Sequence, residues 1–201
     1  MYKSSSSKVL PIILVLIVVA IAIAALVSVG RAIFGGDDTS QSQVDLGEAA
    51  LVNISVDRSV RMNVRGPIVA DEKFNSYQVA VDSSSRRLTT YSGYHQQTID
   101  SLQFGNNVQA YEEFVYALSR ANLMKGEELS GAKDDTRGIC ANGLLYEFEV
   151  LQGSSVVKRL WTSTCKGSPG SLRASTEQVS ELFLDQIPES EEALDEIDLK
   201  P

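Results

Sequence analysis

LLYEFEVLQGSSVVKRLW, residues 144–161, is the stretch that decides the fold. Two runs of β-branched, aromatic and aliphatic residues flank Gln152-Gly153-Ser154-Ser155. Glycine first in a two-residue Gly153-Ser154 loop suits a type II′ turn, whose twist matches that of the strands it joins. That turn sets Val150 opposite Val157, Glu149 opposite Lys158 and Tyr146 opposite Trp161. Apolar, opposite-charge and aromatic cross-strand pairs of this kind each stabilise a sheet by about 0.2–1 kcal/mol. Carried outward, the register leaves Cys140 and Cys165 at the open mouth of the hairpin. Cys165 faces Asn142 with Cys140 one diagonal away, and a turn at Gln152-Gly153 would set the two cysteines directly opposite.

Upstream, Ser59–Arg65 alternates apolar and polar residues and stops at Gly66-Pro67. Tyr77–Val81 continues the pattern, Asp82–Ser85 is a turn, and Arg87–Tyr91 is a return strand. Strict alternation predicts antiparallel strands with one wet face. A helix follows, with Asn106 as its cap and Gln109 three residues on. Val108, Tyr111, Phe114, Val115, Leu118 and Ala121 mark its apolar face, and Gly126 marks its end. Downstream of the hairpin, Ser175-Thr176-Glu177-Gln178 is a capping box. Val179, Leu182, Phe183 and Ile187 share the face of the helix it opens, which Pro188 ends. The expected fold is α+β: an antiparallel sheet packed by two helices on one face.

The N-terminal region has a different composition. Val9–Val27 reads VLPIILVLIVVAIAIAALV, without a charged or polar side chain. A run of about 20 such residues crosses a bilayer core, and Pro11 is tolerated in a first helical turn. A cleaved secretory signal is the alternative, but its apolar core is shorter, about 7–15 residues, and Ser28-Val29-Gly30-Arg31-Ala32 fits a cleavage site poorly. Lys3 and Lys8 precede the span while Asp37 and Asp38 follow it, which places the N-terminus in the cytoplasm and the rest outside. The chain divides accordingly into a cytoplasmic stub at 1–8, a transmembrane helix at 9–29 and a flexible stalk at 30–45. An extracytoplasmic α+β domain at 46–188 and an acidic disordered tail at 189–201 follow, with a short docking helix through Leu194, Ile197 and Leu199 as the alternative for the tail.

All 26 acidic residues lie beyond position 36, so the exterior part is more acidic than the net −8 of the whole chain. Such charge disfavours nucleic acid and anionic lipid surfaces as partners. In an oxidising compartment, Cys140 and Cys165 are read first as a disulfide, with a buried reduced pair as the alternative.

Two segments, RGPIVADEKFNSYQVAV (65–81) and NNVQAYEEFVYALSRANL (106–123), resemble uncharacterised single-span extracytoplasmic proteins of bacteria with reduced genomes. The resemblance spans most of the folded part and implies a small anchored domain. It contains no motif that assigns an activity.

Catalytic motifs are weak. His95 is the single histidine, and no Gly-x-Ser-x-Gly elbow marks a nucleophile for it. Ser130/Lys133 and Ser155/Lys158 match Ser-x-x-Lys, but the accompanying Ser-Asp-Asn and Lys-Thr-Gly are missing. Gly126–Gly131 begins like a phosphate loop, yet Ala132 stands where lysine is required. One histidine and two distant cysteines do not make a zinc site, and no cofactor motif is present. Glu147 and Glu149 share a strand face, with Lys158 as partner for one of them. The segment of most interest is Tyr91, Tyr94, His95, Gln96 and Gln97. Tyrosines with amides and a histidine can stack on and hydrogen-bond a sugar or peptide, or the tyrosines can simply anchor the loop. The expected function is a membrane-anchored, non-catalytic binding or assembly module of the cell envelope, held in the cell membrane by residues 9–29, with an envelope protein as partner. The alternative is an envelope hydrolase using His95 with a serine or aspartate.

Overall fold

Alternation in β1 (Arg58–Arg65) puts Val60, Met62 and Val64 on one side of the strand, all essentially inaccessible, and Arg61, Asn63 and Arg65 on the other. In the computed structural model, which describes residues 46–199, β1 lies inside a six-stranded antiparallel sheet. The other strands are β2 (Asn75–Asp82), β3 (Ser85–Ser92), β4 (Gln97–Gly105), β5 (Leu145–Gln152) and β6 (Ser155–Ser163). Their order across the sheet is β4-β3-β2-β1-β5-β6. The protein is therefore α+β, as expected, with one more strand than the sequence reading found.

Helices cover one face. They are α1 (Leu46–Leu51), α2 (Val108–Arg120), α3 (Thr176–Leu184) and α4 (Ser190–Asp195). Tyr111, Phe114, Val115 and Leu118 of α2 are buried, and Phe114 meets Phe183 of α3 edge-on at 5.3 Å. Phe183 in turn approaches Phe148 of β5 at 6.0 Å, so both helices and the sheet share one aromatic centre. Burying a side chain of this size contributes about 1.5–3 kcal/mol.

Several local expectations are corrected. The cap of α2 is Asn107, whose Oδ1 accepts from Ala110 N at 2.9 Å. Asn106 instead donates from Nδ2 to the Asp82 carbonyl, pinning the helix start to the β2–β3 turn. Val108 is exposed rather than part of the buried face. The end of α2 is set by Asn122 in the left-handed region (φ 59°), with Leu123 N bonded back to Leu118 O. Gly126 lies beyond the helix, bridged to Leu172. Ser175 caps α3 as expected, accepting from Gln178 N at 3.3 Å.

The hairpin turns where the sequence places it, with Gln152 paired to Ser155. A bulge at Val157 then shifts the register by one, so Val150 faces Lys158, Glu149 faces Arg159 and Tyr146 faces Thr162. Beyond the bulge, Leu160 enters the core while Arg159 and Trp161 turn to the face opposite the helices, where Trp161 is itself buried. Cys140 and Cys165 form a disulfide with Cα atoms 5.3 Å apart. Gly143 is required beside it, since a Cβ there would fall on the Thr164 hydroxyl and lie 2.8 Å from the Cys140 sulfur.

The acidic segment after Pro188 is not a disordered tail through residue 199. It carries α4, buries Ala193 and Ile197, and lays the Asp198 carbonyl against Asn75 Nδ2 at 3.2 Å. The expected span at 9–29, the stub and the stalk lie outside the described residues. Among the described residues no helix is long and apolar enough to cross a membrane.

Candidate functional site

The uncovered face of the sheet carries its side chains in cross-strand rows. One row reads Leu145, Arg65, Ser76 and Tyr91 across β5, β1, β2 and β3. The next reads Glu147, Asn63, Gln78 and Thr89, and the third Glu149, Arg61, Ala80 and Arg87. Alternation alone puts these polar positions on one side, opposite the helix-covered core.

Hydrogen bonds tie the rows together. Glu149 Oε2 accepts from Arg61 Nε at 2.6 Å and from Asn63 Nδ2 at 3.1 Å. Asn63 Oδ1 accepts from Gln78 Nε2 at 2.8 Å. Glu147 Oε1 accepts from Arg159 at 2.5 Å and from the Thr136 hydroxyl at 3.3 Å. Burial pushes the Glu147 carboxyl above its ordinary pKa; Arg159 pulls it back and the neighbouring Glu149 adds to the rise. Charge-assisted bonds of this kind fix side-chain positions before any ligand arrives.

Over the first two rows lies a cavity of about 390 Å³, within the roughly 300–1,000 Å³ typical of small-molecule sites. Arg65, Ser76, Gln78 and Asn63 line it from the sheet, and Phe74, Tyr91, Tyr94 and Gln96 from one end. Arg65 is held by the Thr136 and Ile139 carbonyls, both 2.7 Å from the same terminal nitrogen. Those carbonyls lie just before Cys140, so the Cys140–Cys165 bridge anchors the segment that carries them.

The β3–β4 turn supplies the aromatic end. Gly93 (φ 68°) and Gln96 (φ 54°) occupy the left-handed region that this tight reversal demands. Tyr94 is clamped: its N donates to Asp71 Oδ1 at 2.8 Å, its hydroxyl to Val69 O at 2.8 Å, and its ring stacks on Phe74 at 4.1 Å. Of the five residues singled out in sequence, Tyr91, Tyr94 and Gln96 line the cavity; His95 and Gln97 are exposed and do not. Tyr94 anchors the turn and also forms part of the cavity wall.

Among the described residues, no hydrogen bond joins His95 to a serine or a carboxylate, and no group of acidic, histidine or cysteine side chains is arranged to hold a metal ion. The pair Glu147 and Glu149 is shared out between Arg159 and Arg61, replacing the expected contact with Lys158. Lys158 faces the core side, its Nζ 2.9 Å from the Met124 carbonyl.

Sequence reading missed Arg61, Asn63, Arg65, Ser76 and Gln78 as cavity residues. Their signal was the polar half of the alternation in β1 and β2, read only as a wet face. No family model matches the chain, and no curated protein matches its sequence.

Proposed function

We propose that this protein is a membrane-anchored extracytoplasmic module that binds a component of the cell envelope, an assembly partner or ligand, without catalysing its conversion. The observation that supports it is the preformed cavity on the uncovered sheet face, whose polar side chains are held by their own hydrogen-bond network. Rigid, pre-positioned recognition groups lower the ordering cost of association. Residues 9–29 would hold this face near the membrane, where envelope partners are concentrated. A hydrolase would need His95 beside a nucleophile, and nothing in its surroundings favours that reading.

The test is photocrosslinking on intact cells. A benzophenone amino acid replaces Gln96 at the cavity, or Tyr116 on the exposed side of α2, which is 43% exposed, as the control. Affinity purification and mass spectrometry then identify what is attached. A reproducible adduct from position 96 and none from 116 is the expected result. No adduct at 96, or the same adducts from both positions, overturns the proposal.

A further inference from the structure

Three hydrogen-bond donors stand side by side in the first row of the uncovered face. Arg65 pairs in register with Ser76, and Ser76 with Tyr91, on three adjacent strands, and all three line the cavity. None is fully used by the protein. Arg65 bonds two carbonyls through one terminal nitrogen and forms no ion pair with a carboxylate among the described residues. The Ser76 hydroxyl is buried, in a residue only 7% exposed, and has no partner. The Tyr91 hydroxyl likewise bonds no described residue.

Glu147 acts on the Arg65 guanidinium only at a distance and no carboxylate bonds it, while a buried hydroxyl without an acceptor is costly. A buried group left without a partner calls for an explanation, and a ligand that completes it is one. The missing complement is an anion that only accepts hydrogen bonds and is compact enough for three donors on neighbouring strands. A carboxylate meets that description, and guanidinium–carboxylate geometry is the strongest pairing available to it.

Resting on the reading of the cavity as a binding site, we infer that the Arg65–Ser76–Tyr91 row receives the carboxylate of an acidic saccharide. The rest of the cavity argues for the saccharide body. Gln78 and Gln96 offer amides to ring hydroxyls, while Phe74 and Tyr94 form one stacked aromatic wall. The volume of about 390 Å³ suits one or two sugar units.

The experiment is isothermal titration calorimetry on the full-length protein in detergent, with D-glucuronate, D-glucose and the dipeptide Gly-Gly as probes. D-Glucuronate is expected to bind about tenfold or more tightly than D-glucose, and more tightly than Gly-Gly. Ser76→Ala and Tyr91→Phe should each weaken it several-fold while leaving the melting temperature of the unliganded protein unchanged or raised. Arg65→Gln should abolish it, but that variant can also loosen the disulfide loop, so the two milder variants decide. Equal binding of glucose and glucuronate, preference for Gly-Gly, no glucuronate binding, or unaltered affinity in both mild variants overturns the inference. Should glucuronate fail while position 96 still gives specific adducts, the ligand class is wrong and the binding module stands.

Discussion

At the scale of single residues, Ser76 separates a structural role from a recognition role. Its hydroxyl is buried and bonds nothing, so Ser76→Ala removes an uncompensated polar atom. The unliganded protein should then be equally stable or more stable by up to about 1 kcal/mol in chemical denaturation. A loss of stability would show that the hydroxyl is already satisfied in the free protein. Asp82 is the contrasting case, a carboxylate whose bonds are made within the protein. Burial alone would raise its pKa, but the backbone and hydroxyl groups of Ser84 and Ser85 outweigh it and hold the carboxyl below 3.8. A folded-state value below the unfolded one contributes stability above the ordinary pKa, and that contribution is lost as pH falls through the folded value. Asp82→Asn should therefore cost about 1 kcal/mol at pH 7, reduced by solvent screening. The difference from the parent should shrink as the pH drops below 3.8, as denaturation curves at several pH values would show.

Among the elements, the two bulges explain what the sequence could and could not reveal. Strict alternation made β1, β2, β3 and the turn at Gly153-Ser154 legible. In β4 the bulge at Ile99 breaks the period between Thr98 and Asp100, so Ile99, Leu102 and Phe104 do not read as one face. That break leaves β4 without the alternation that marks a strand in sequence. The bulge at Val157 hid the true partners of Glu149 and Tyr146 in the same way. Only the aromatic end of the cavity was visible beforehand, because Tyr91, Tyr94 and Gln96 are close in sequence. Arg65, Ser76 and Gln78 come together through strand pairing, which local spacing does not encode. In the C-terminal segment Leu194, Ile197 and Leu199 carry the signal of a docked helix, and the surrounding acids carry the competing signal of a disordered tail. Since Val157 is the extra residue of its bulge, deleting it leaves Lys158 paired to Val150 and Arg159 on its present face. The deletion should keep the fold, with a stability change below about 2 kcal/mol; an unfolded product would contradict the assigned register. Asn107→Ala should cost about 1 kcal/mol through loss of the α2 cap, as a thermal melt would show.

For the whole molecule, the disulfide ties stability to the cavity wall. It closes 25 residues of chain, and by loop entropy its removal as Cys140→Ala/Cys165→Ala should cost roughly 3 kcal/mol. Because the bridge anchors the segment that presents the Thr136 and Ile139 carbonyls to Arg65, the same variant should also lose cavity crosslinks at temperatures where it remains folded. The proposed envelope partner reaches the cavity only if residues 46–199 stand outside the cytoplasm. The most direct measurement is labelling of a Ser154→Cys variant, at the tip of the β5–β6 hairpin, with a membrane-impermeant maleimide on intact cells. Labelling of intact cells as complete as that of permeabilised ones is the predicted result. Labelling only after permeabilisation would contradict an extracytoplasmic binding module.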